Sequence, residues 1–149
     1  MTVTLIIAVL IAIAIPSFLG AKGRASDRAA QTSLRIAFTN AKAIYVDSKS
    51  FSDVTVGALR TAERSLSFTA GASTAPKEVS VASSASGIVL AAQSAQGTCY
   101  VIGDGGPPAG TVFGTLGSSS CDASTVPPLP SAIPTALHVS GGGGWSQDW

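Results

Sequence analysis

Residues 3–26 read VTLIIAVLIAIAIPSFLGAKGRAS, and this stretch decides how the rest of the chain is organised. The thirteen residues from Val3 to Ile15 are apolar with the single exception of Thr4. As a helix they span about 20 Å, against about 30 Å for the hydrocarbon core of a bilayer. Pro16 then removes a backbone donor from that helix. The stretch must avoid water, yet it is short for a membrane span.

Two ordinary interpretations of this apolar stretch fit poorly. A cleavable signal peptide carries basic residues before its apolar run, whereas here Lys22, Arg24 and Arg28 follow the run. A core helix that is apolar on every face occurs mainly in proteins much larger than 149 residues. A third interpretation accounts for more of the residues.

The segment LIIAVLIAIAIPSFLGAKGRA, residues 5–25, resembles the N-terminal helix of type IV pilins and of the related pseudopilins of type II secretion. In that superfamily the apolar helix ends Ala-Ile-Ala-Ile-Pro, and residues 12–16 repeat this ending letter for letter. Thr2 to Pro16 fits the last two-thirds of the family helix without gaps. The resemblance is specific, because a proline followed by a small, basic, alanine-rich continuation is rare after a random apolar helix.

The resemblance also implies residues upstream of Met1. Aligned on Pro16, Met1 falls a few residues inside the mature start of the family, so the N-terminus is expected to be truncated. A basic leader ending in glycine, a methylated first residue and a glutamate are expected before it, with a prepilin peptidase as the processing enzyme. About six further residues bring the apolar helix to about 30 Å. The basic residues after the run favour the opposite orientation by the positive-inside rule, and only the upstream sequence settles this conflict.

The composition excludes some classes of function. Only 11% of the residues are charged and the net charge is +1, so no nucleic-acid footprint is evident. The low charge and the abundance of small residues suit a secreted or wall-associated protein better than a soluble enzyme. A chain of 149 residues allows one modest domain plus an appendage.

From Ser17 to about Ser48 the helical pattern continues but becomes amphipathic, with apolar residues every three or four positions. The apolar first half is therefore expected to leave the domain, and the second half to pack on a sheet. Asp27 is expected to form a surface pair with Arg24. The residues expected to pack the helix on the sheet are Leu34, Phe38, Ala41, Ile44 and Tyr45.

The C-terminal half changes to short alternating or apolar runs, which are typical of strands. Three or four antiparallel strands with one apolar face need a cover, and the amphipathic half of the helix is the only long element that can supply it. The sequence thus predicts an α+β fold, and the resemblance implies a type IV pilin-like one: a long N-terminal helix packed on a small antiparallel sheet of three to four strands. The predicted strands are Glu78–Ser83, Ile88–Ala92, Cys99–Ile102 and Thr111–Leu116.

The predicted organisation is an exposed apolar helix over residues 1–23 followed by a head domain over residues 24–149. Within the head, the amphipathic half of the helix covers residues 24–49. A connecting loop over residues 50–76 contains a short helical segment near residues 56–64. The sheet and a disulfide-bounded C-terminal region occupy residues 77–149.

Two cysteines, Cys99 and Cys121, permit a single intramolecular pairing. Export predicts a disulfide, whereas a reducing compartment predicts two buried thiols. The segment between them resembles the disulfide-bounded segment near the pilin C-terminus, and a bridge there contributes about 3 kcal/mol.

Farther along, prolines in residues 126–134 exclude central strands. Trp145 and Trp149 are expected either to cap the open face or edge of the sheet or to form a surface contact.

No motif predicts catalysis. His138, the single histidine, lies in a tail rich in proline and glycine. Residues 103–106 are glycine-rich but lack the lysine and the helix of a phosphate loop. A Ca²⁺ site formed by Asp104 and Asp122 stays open as an alternative. The chain is therefore expected not to be an enzyme and to bind neither a cofactor nor a metal.

The resemblance implies a structural subunit of a type IV pilus-like filament. In that family, subunits are first inserted in the lipid of the cytoplasmic membrane, and the pilus assembly machinery then builds them into a helical homopolymer outside the cell. Lipid is as apolar as a helix bundle, so association depends on close packing through small residues. Alternatives are a minor pseudopilin of a type II secretion system and a membrane-anchored binding domain that does not polymerise. The residues expected to pack the filament core are Leu5, Ala8, Val9, Ala12, Ile13, Pro16, Phe18 and Leu19.

Overall fold

The computed structural model describes residues 2–117, 120–129, 145–147 and 149, without the side chains of residues 2, 4, 5 and 8–19. Its fold is α+β, which confirms the predicted class. One long N-terminal helix packs on a six-stranded mixed sheet.

Helix α1 comprises Thr2–Ser48 and continues through Pro16. Its 47 residues give a length of about 70 Å. Among the described side chains, contact with the sheet layer begins at Gly23, which lies beside Gln96, and at Ser26, whose hydroxyl accepts a hydrogen bond of 2.6 Å from the Ala95 amide. The part of α1 before Gly23 extends about 30 Å beyond the sheet.

No helix is long and apolar enough to cross a membrane when only residues with a described side chain are considered.

Helix α1 buries a narrow stripe of small side chains against the sheet. Ala30, Leu34, Ala37 and Ala41 are all 0% exposed, and their spacings of four, three and four place them on one face of the helix. Three alanines in this stripe allow the helix backbone to approach the sheet closely. Of the residues expected to pack here, Leu34 and Ala41 are buried, and the half-buried side chains beside the same core are Phe38, Ile44 and Tyr45.

Helix α1 ends in a turn that returns the chain to the core. Lys49 has a φ of 62°, in the left-handed region, and its amide donates to the Tyr45 carbonyl at 2.7 Å. Phe51 follows in a single turn of 3₁₀ helix, and its ring stacks on Tyr45 with centroids 4.2 Å apart. Helix α2, Val56–Ala62, lies within the predicted short helical segment.

The sheet contains the four predicted strands and two that were not predicted. All neighbouring strands are antiparallel except the first two, which are parallel, and the spatial order follows the chain. The strands are β1 (Ser67–Thr69), β2 (Glu78–Ser84), β3 (Gly87–Gln93), β4 (Cys99–Asp104), β5 (Thr111–Leu116) and β6 (Trp145–Ser146).

The predictions of three to four antiparallel strands and of a loop over residues 50–76 were therefore wrong in detail. Strand β1 has three residues and strand β6 has two, so neither is long enough to show an alternating pattern. The short strand β1 also pairs in parallel with β2 across an eight-residue connection. The result is a mixed sheet that is wider by one strand at each edge.

The sheet is covered on both faces, although the sequence predicted one apolar face. Toward α1 it presents alternate residues such as Val79, Leu90 and Ile102. The opposite face carries Ala91, Val101 and Val112 and is covered by residues 121–129 together with Trp145. This second cover is an irregular, proline-containing segment with a single 3₁₀ turn, Ala123–Thr125, and such a segment has no periodicity that reveals its buried side.

Gly103 on strand β4 makes room for this second cover. A Cβ atom at Gly103 would lie 2.4 Å from the Leu129 side chain and 3.0 Å from the Trp145 ring. Both distances are shorter than ordinary carbon–carbon contacts, so the absence of a side chain at Gly103 allows Leu129 and Trp145 to pack flat on the sheet.

We expect Gly103→Ala to lower the free energy of unfolding by about 1–3 kcal/mol, because Leu129 or Trp145 must move away from the sheet. Urea unfolding of the full chain in a mild detergent, followed by tryptophan fluorescence, measures the change. Gly117→Ala is the matched control, since a Cβ there would meet nothing within 4 Å. Equal stability of the two variants would contradict this packing.

Candidate functional site

Helix α1 has two chemically different environments along its length. Before Gly23, the described large apolar side chains are exposed: Val3 by 67%, Ile6 by 59% and Ile7 by 50%. After Ser26, the helix is held against the sheet. The backbone of α1 includes every residue predicted for the filament core, but their side chains lie outside the described part: Leu5, Ala8, Val9, Ala12, Ile13, Pro16, Phe18 and Leu19.

An ion pair links α1 to strand β4. Lys42 Nζ lies 2.9 Å from Asp104 Oδ2, and the Asp104 side chain is 2% exposed whereas that of Lys42 is 39% exposed. The Asp104 carboxylate also accepts hydrogen bonds from the Gly106 amide at 2.7 Å and from the Thr111 hydroxyl at 2.8 Å. Asp104 is therefore a buried anion whose oxygens are all engaged by α1, by its own turn and by strand β5.

Burial and hydrogen bonding act on Asp104 in opposite directions. Burial raises the pKa of the Asp104 carboxyl, but hydrogen bonds from Lys42, Gly106 and Thr111 and the charge of Lys42 outweigh it, so the pKa lies below its ordinary value of 3.8. The carboxylate is thus ionised at neutral pH, and its attraction to Lys42 operates in a largely apolar surrounding.

Three aromatic rings surround the Lys42 ammonium. The ring centroids of Phe38, Tyr45 and Phe51 lie 5.7, 5.5 and 5.6 Å from Nζ. The ammonium lies over each ring, whose face is negative, at a distance typical of cation–π contacts. Lys42 therefore joins the end of α1, the following 3₁₀ turn and strand β4.

Sequence reasoning missed the Lys42–Asp104 pair, because Lys42 lies 62 positions before its partner. A signal was present: Asp104 directly follows the apolar run Val101-Ile102-Gly103, where a carboxylate is buried and needs a cation.

The hydrogen bonds that Asp104 accepts also bear on the Ca²⁺ alternative. Asp104 is bonded to Lys42, while Asp122 accepts the Ser124 amide at 2.9 Å in a separate turn. Across the described residues no group of three His, Cys, Asp or Glu side chains converges.

A disulfide joins Cys99 to Cys121, with Cα atoms 5.3 Å apart. It fixes the start of strand β4 to the segment that covers the second face of the sheet. Beyond the bridge, the Ala123 amide donates to Ser80 Oγ at 2.9 Å, and the Ser73 amide donates to the Cys121 carbonyl at 2.8 Å. The covering segment is therefore held to strand β4 by the disulfide, and to strand β2 and the β1–β2 connection by hydrogen bonds.

The two tryptophans cap the β5–β6 edge, one on each face of the sheet, in agreement with the first interpretation of the sequence. Trp145 packs on the second face and donates from Nε1 to the Pro128 carbonyl at 3.2 Å. Trp149 lies on the α1 side, donates to the Gly114 carbonyl at 3.0 Å, and has the Arg35 guanidinium 5.3 Å from its ring centroid. Trp149 thereby connects the sheet edge to α1.

The predicted surface pair between Asp27 and Arg24 is absent. The Asp27 side chain lies near Tyr100, whose pKa is raised by burial and by the Asp27 charge. Asp27 Oδ1 is buried and has no hydrogen-bond partner among the described residues. The prediction was wrong because Asp27 borders the buried face of α1, whereas Arg24 is exposed to solvent.

A cleft of about 490 Å³ lies on the face of the sheet opposite α1. Its walls are the β2–β3 turn around Ser84 and Ser86 and the covering segment from Ser124 to Leu129. The walls combine serine hydroxyls with proline rings and small apolar residues. His138, the single histidine of the sequence, lies outside the described residues.

Comparisons with known proteins found no match to this chain among models of protein families, curated proteins or solved structures.

Acid unfolding tests the Lys42–Asp104 pair. Because the folded-state pKa of Asp104 is lowered, its contribution to stability is complete above pH 3.8 and is lost as the pH falls through the folded-state pKa. Lys42→Met removes the cation, so that burial raises the pKa of the Asp104 carboxyl in the folded state. We expect the midpoint of acid unfolding, measured by circular dichroism, to move to higher pH, with a loss of about 2 kcal/mol at neutral pH.

Lys77→Met serves as the control. The Lys77 side chain is exposed and forms no ion pair within the described part of the chain. Identical acid midpoints for Lys42→Met and Lys77→Met would show that the pair does not stabilise the fold.

Reduction tests the covalent attachment of the second cover. The double variant Cys99→Ala/Cys121→Ala is expected to lose about 3 kcal/mol of unfolding free energy, because its denatured chain is no longer closed into a loop. The same loss is expected when the wild-type chain is unfolded in urea with dithiothreitol. A loss much below about 1 kcal/mol by both routes would contradict a stabilising bridge.

Proposed function

We propose that the chain is a structural subunit of a type IV pilus-like extracellular filament, assembled by packing of the N-terminal halves of α1. The observation that carries the proposal is one continuous helix with two environments: its second half is anchored on the sheet, and its apolar first half extends beyond it. The resemblance of residues 5–25 to the pilin helix supports the same function.

The physical reason is the cost of exposing the apolar half of α1 to water. Each large apolar side chain costs about 1.5–3 kcal/mol when it is left in water. Before assembly the cytoplasmic membrane shelters this half, and in the filament the same segment of neighbouring copies does so. Because lipid is equally apolar, the net preference for the filament depends on close contact at small residues such as Ala8 and Ala12.

The anchoring of α1 explains how helix packing orders the heads. A head on a flexible joint would not be positioned by the helix bundle, whereas here α1 enters the head as a single helix. It is fixed by the alanine stripe, by the Lys42–Asp104 pair and by Trp149 against Arg35. Each head therefore takes a definite place when its helix packs.

The disulfide and the occupied Asp104 favour a pilin over a minor pseudopilin, since pseudopilins more often use Ca²⁺ than a disulfide. Processing by a prepilin peptidase and extraction by the pilus assembly machinery are part of the proposal.

A second candidate is a membrane-anchored binding domain that does not polymerise, and the cleft opposite α1 favours it. The two candidates share the anchor but differ in their need for close helix contacts.

The double variant Ala8→Leu/Ala12→Leu distinguishes these functions. Leucine keeps the segment apolar, so anchoring in the membrane fraction is expected to persist, but the larger side chains keep neighbouring helices apart. We expect at least about a tenfold loss of filaments, since about 1.4 kcal/mol per contact suffices for that factor. Electron microscopy of producing cells counts the filaments, and mass spectrometry of sheared filaments identifies the chain.

Ile6→Leu/Ile7→Leu is the matched control, because it changes two residues of the same segment at constant volume and is expected to leave filament number unchanged. Normal filaments from Ala8→Leu/Ala12→Leu would contradict packing through small residues. Wild-type cells that carry the chain in the membrane but bear no filaments containing it would favour the non-polymerising binding domain.

A further inference from the structure

Three cations stand together where α1 leaves the sheet. Lys22, Arg24 and Arg28 are all exposed, and no ion pair or hydrogen bond involves their side chains within the described part of the chain. They follow the apolar stretch directly and lie where contact with the sheet layer begins, at Gly23 and Ser26. We call these three residues the basic collar.

The acid inside the collar does not pair with its cations. Asp27 lies between Arg24 and Arg28 in sequence, but its side chain is next to Tyr100 and has a buried oxygen, while the three cations face solvent. No carboxylate lies within 4.0 Å of a collar nitrogen among the described residues. The collar therefore presents three positive charges to whatever surrounds this level of the helix.

The height of the collar along α1 matches a lipid headgroup layer. At 1.5 Å per residue, Lys22 lies about 5 Å beyond Leu19, the last large apolar residue of the stretch, and Arg28 lies about 13 Å beyond it. A headgroup layer is about 5–8 Å thick on each side of the hydrocarbon core. With the apolar half of α1 in hydrocarbon, Lys22 and Arg24 reach the phosphates, and the long Arg28 side chain can turn back to them.

Resting on the proposed function, we propose that the basic collar binds the phosphates of anionic lipid headgroups and makes the unassembled subunit prefer anionic bilayers. Guanidinium and ammonium groups donate charge-assisted hydrogen bonds to phosphate oxygens. Each basic residue near an anionic surface adds about 1 kcal/mol of binding. The adjoining turn contributes uncharged Gln96, so it does not repel such a surface.

Competition between two vesicle populations tests this preference independently of how tightly the apolar half inserts. The full chain is mixed with separable vesicles of phosphatidylcholine alone and vesicles in which about a third of the lipid is phosphatidylglycerol. We expect on the order of a 100-fold preference for the anionic vesicles, as three cations imply. The preference is expected to shrink strongly between about 0.1 M and about 1 M NaCl.

The collar variant Lys22→Gln/Arg24→Gln/Arg28→Gln is expected to lose most of this preference. The control Lys49→Gln/Arg64→Gln/Lys77→Gln removes the same charge from exposed head residues and is expected to keep it. Equal behaviour of the two variants, or no anionic preference in the wild type, would overturn the proposal.

The outcomes separate failure of the collar proposal from failure of the proposed function. An anionic preference in a chain that never forms filaments refutes only the filament function. Filaments from a chain without the preference refute only the collar proposal.

Discussion

The firm attachment of one half of α1 to the sheet is the constraint on which the rest of the structure depends. A helix with a buried stripe of alanines lies close to the strands, and the Lys42–Asp104 pair prevents it from sliding along them. The pair is costly to break because Asp104 is buried and would keep an unpaired charge. With this half held, the direction in which the apolar half leaves the head is determined.

The head has only a small core, and it compensates by covering both faces of its sheet. Helix α1 covers one face, while the segment after Cys121 covers the other with Ala123 and Leu129. That segment has a single turn of 3₁₀ helix, Ala123–Thr125, and pairs with no long strand, so the disulfide, Ser80 and the space above Gly103 position it. The two tryptophans close the edge between the layers. A domain of this size thereby remains rigid enough to transmit the position of α1.

Sequence reasoning succeeded where a pattern is repeated over many residues. The long helix, the amphipathic face of its second half and strands β2 to β5 all carry a clear period. The two-residue strand β6, the second cover and the Lys42–Asp104 pair were missed, because they depend on contacts between segments that lack a period or lie far apart. Asp27 shows a related limit, since helical spacing brings it near Arg24 but Tyr100 and the sheet determine where its carboxylate lies. Of the candidate site, the anchored half of α1 followed from spacing, whereas the filament-core residues remain a prediction from resemblance.

An electron cryo-microscopy reconstruction of fibres sheared from producing cells tests the central claim most directly. The account predicts a central bundle in which residues 3–19 of neighbouring copies contact one another, with the sheets facing outward around it. A fibre in which the sheets touch while the apolar halves of α1 stay apart, or a preparation in which no fibre contains this chain, would contradict it.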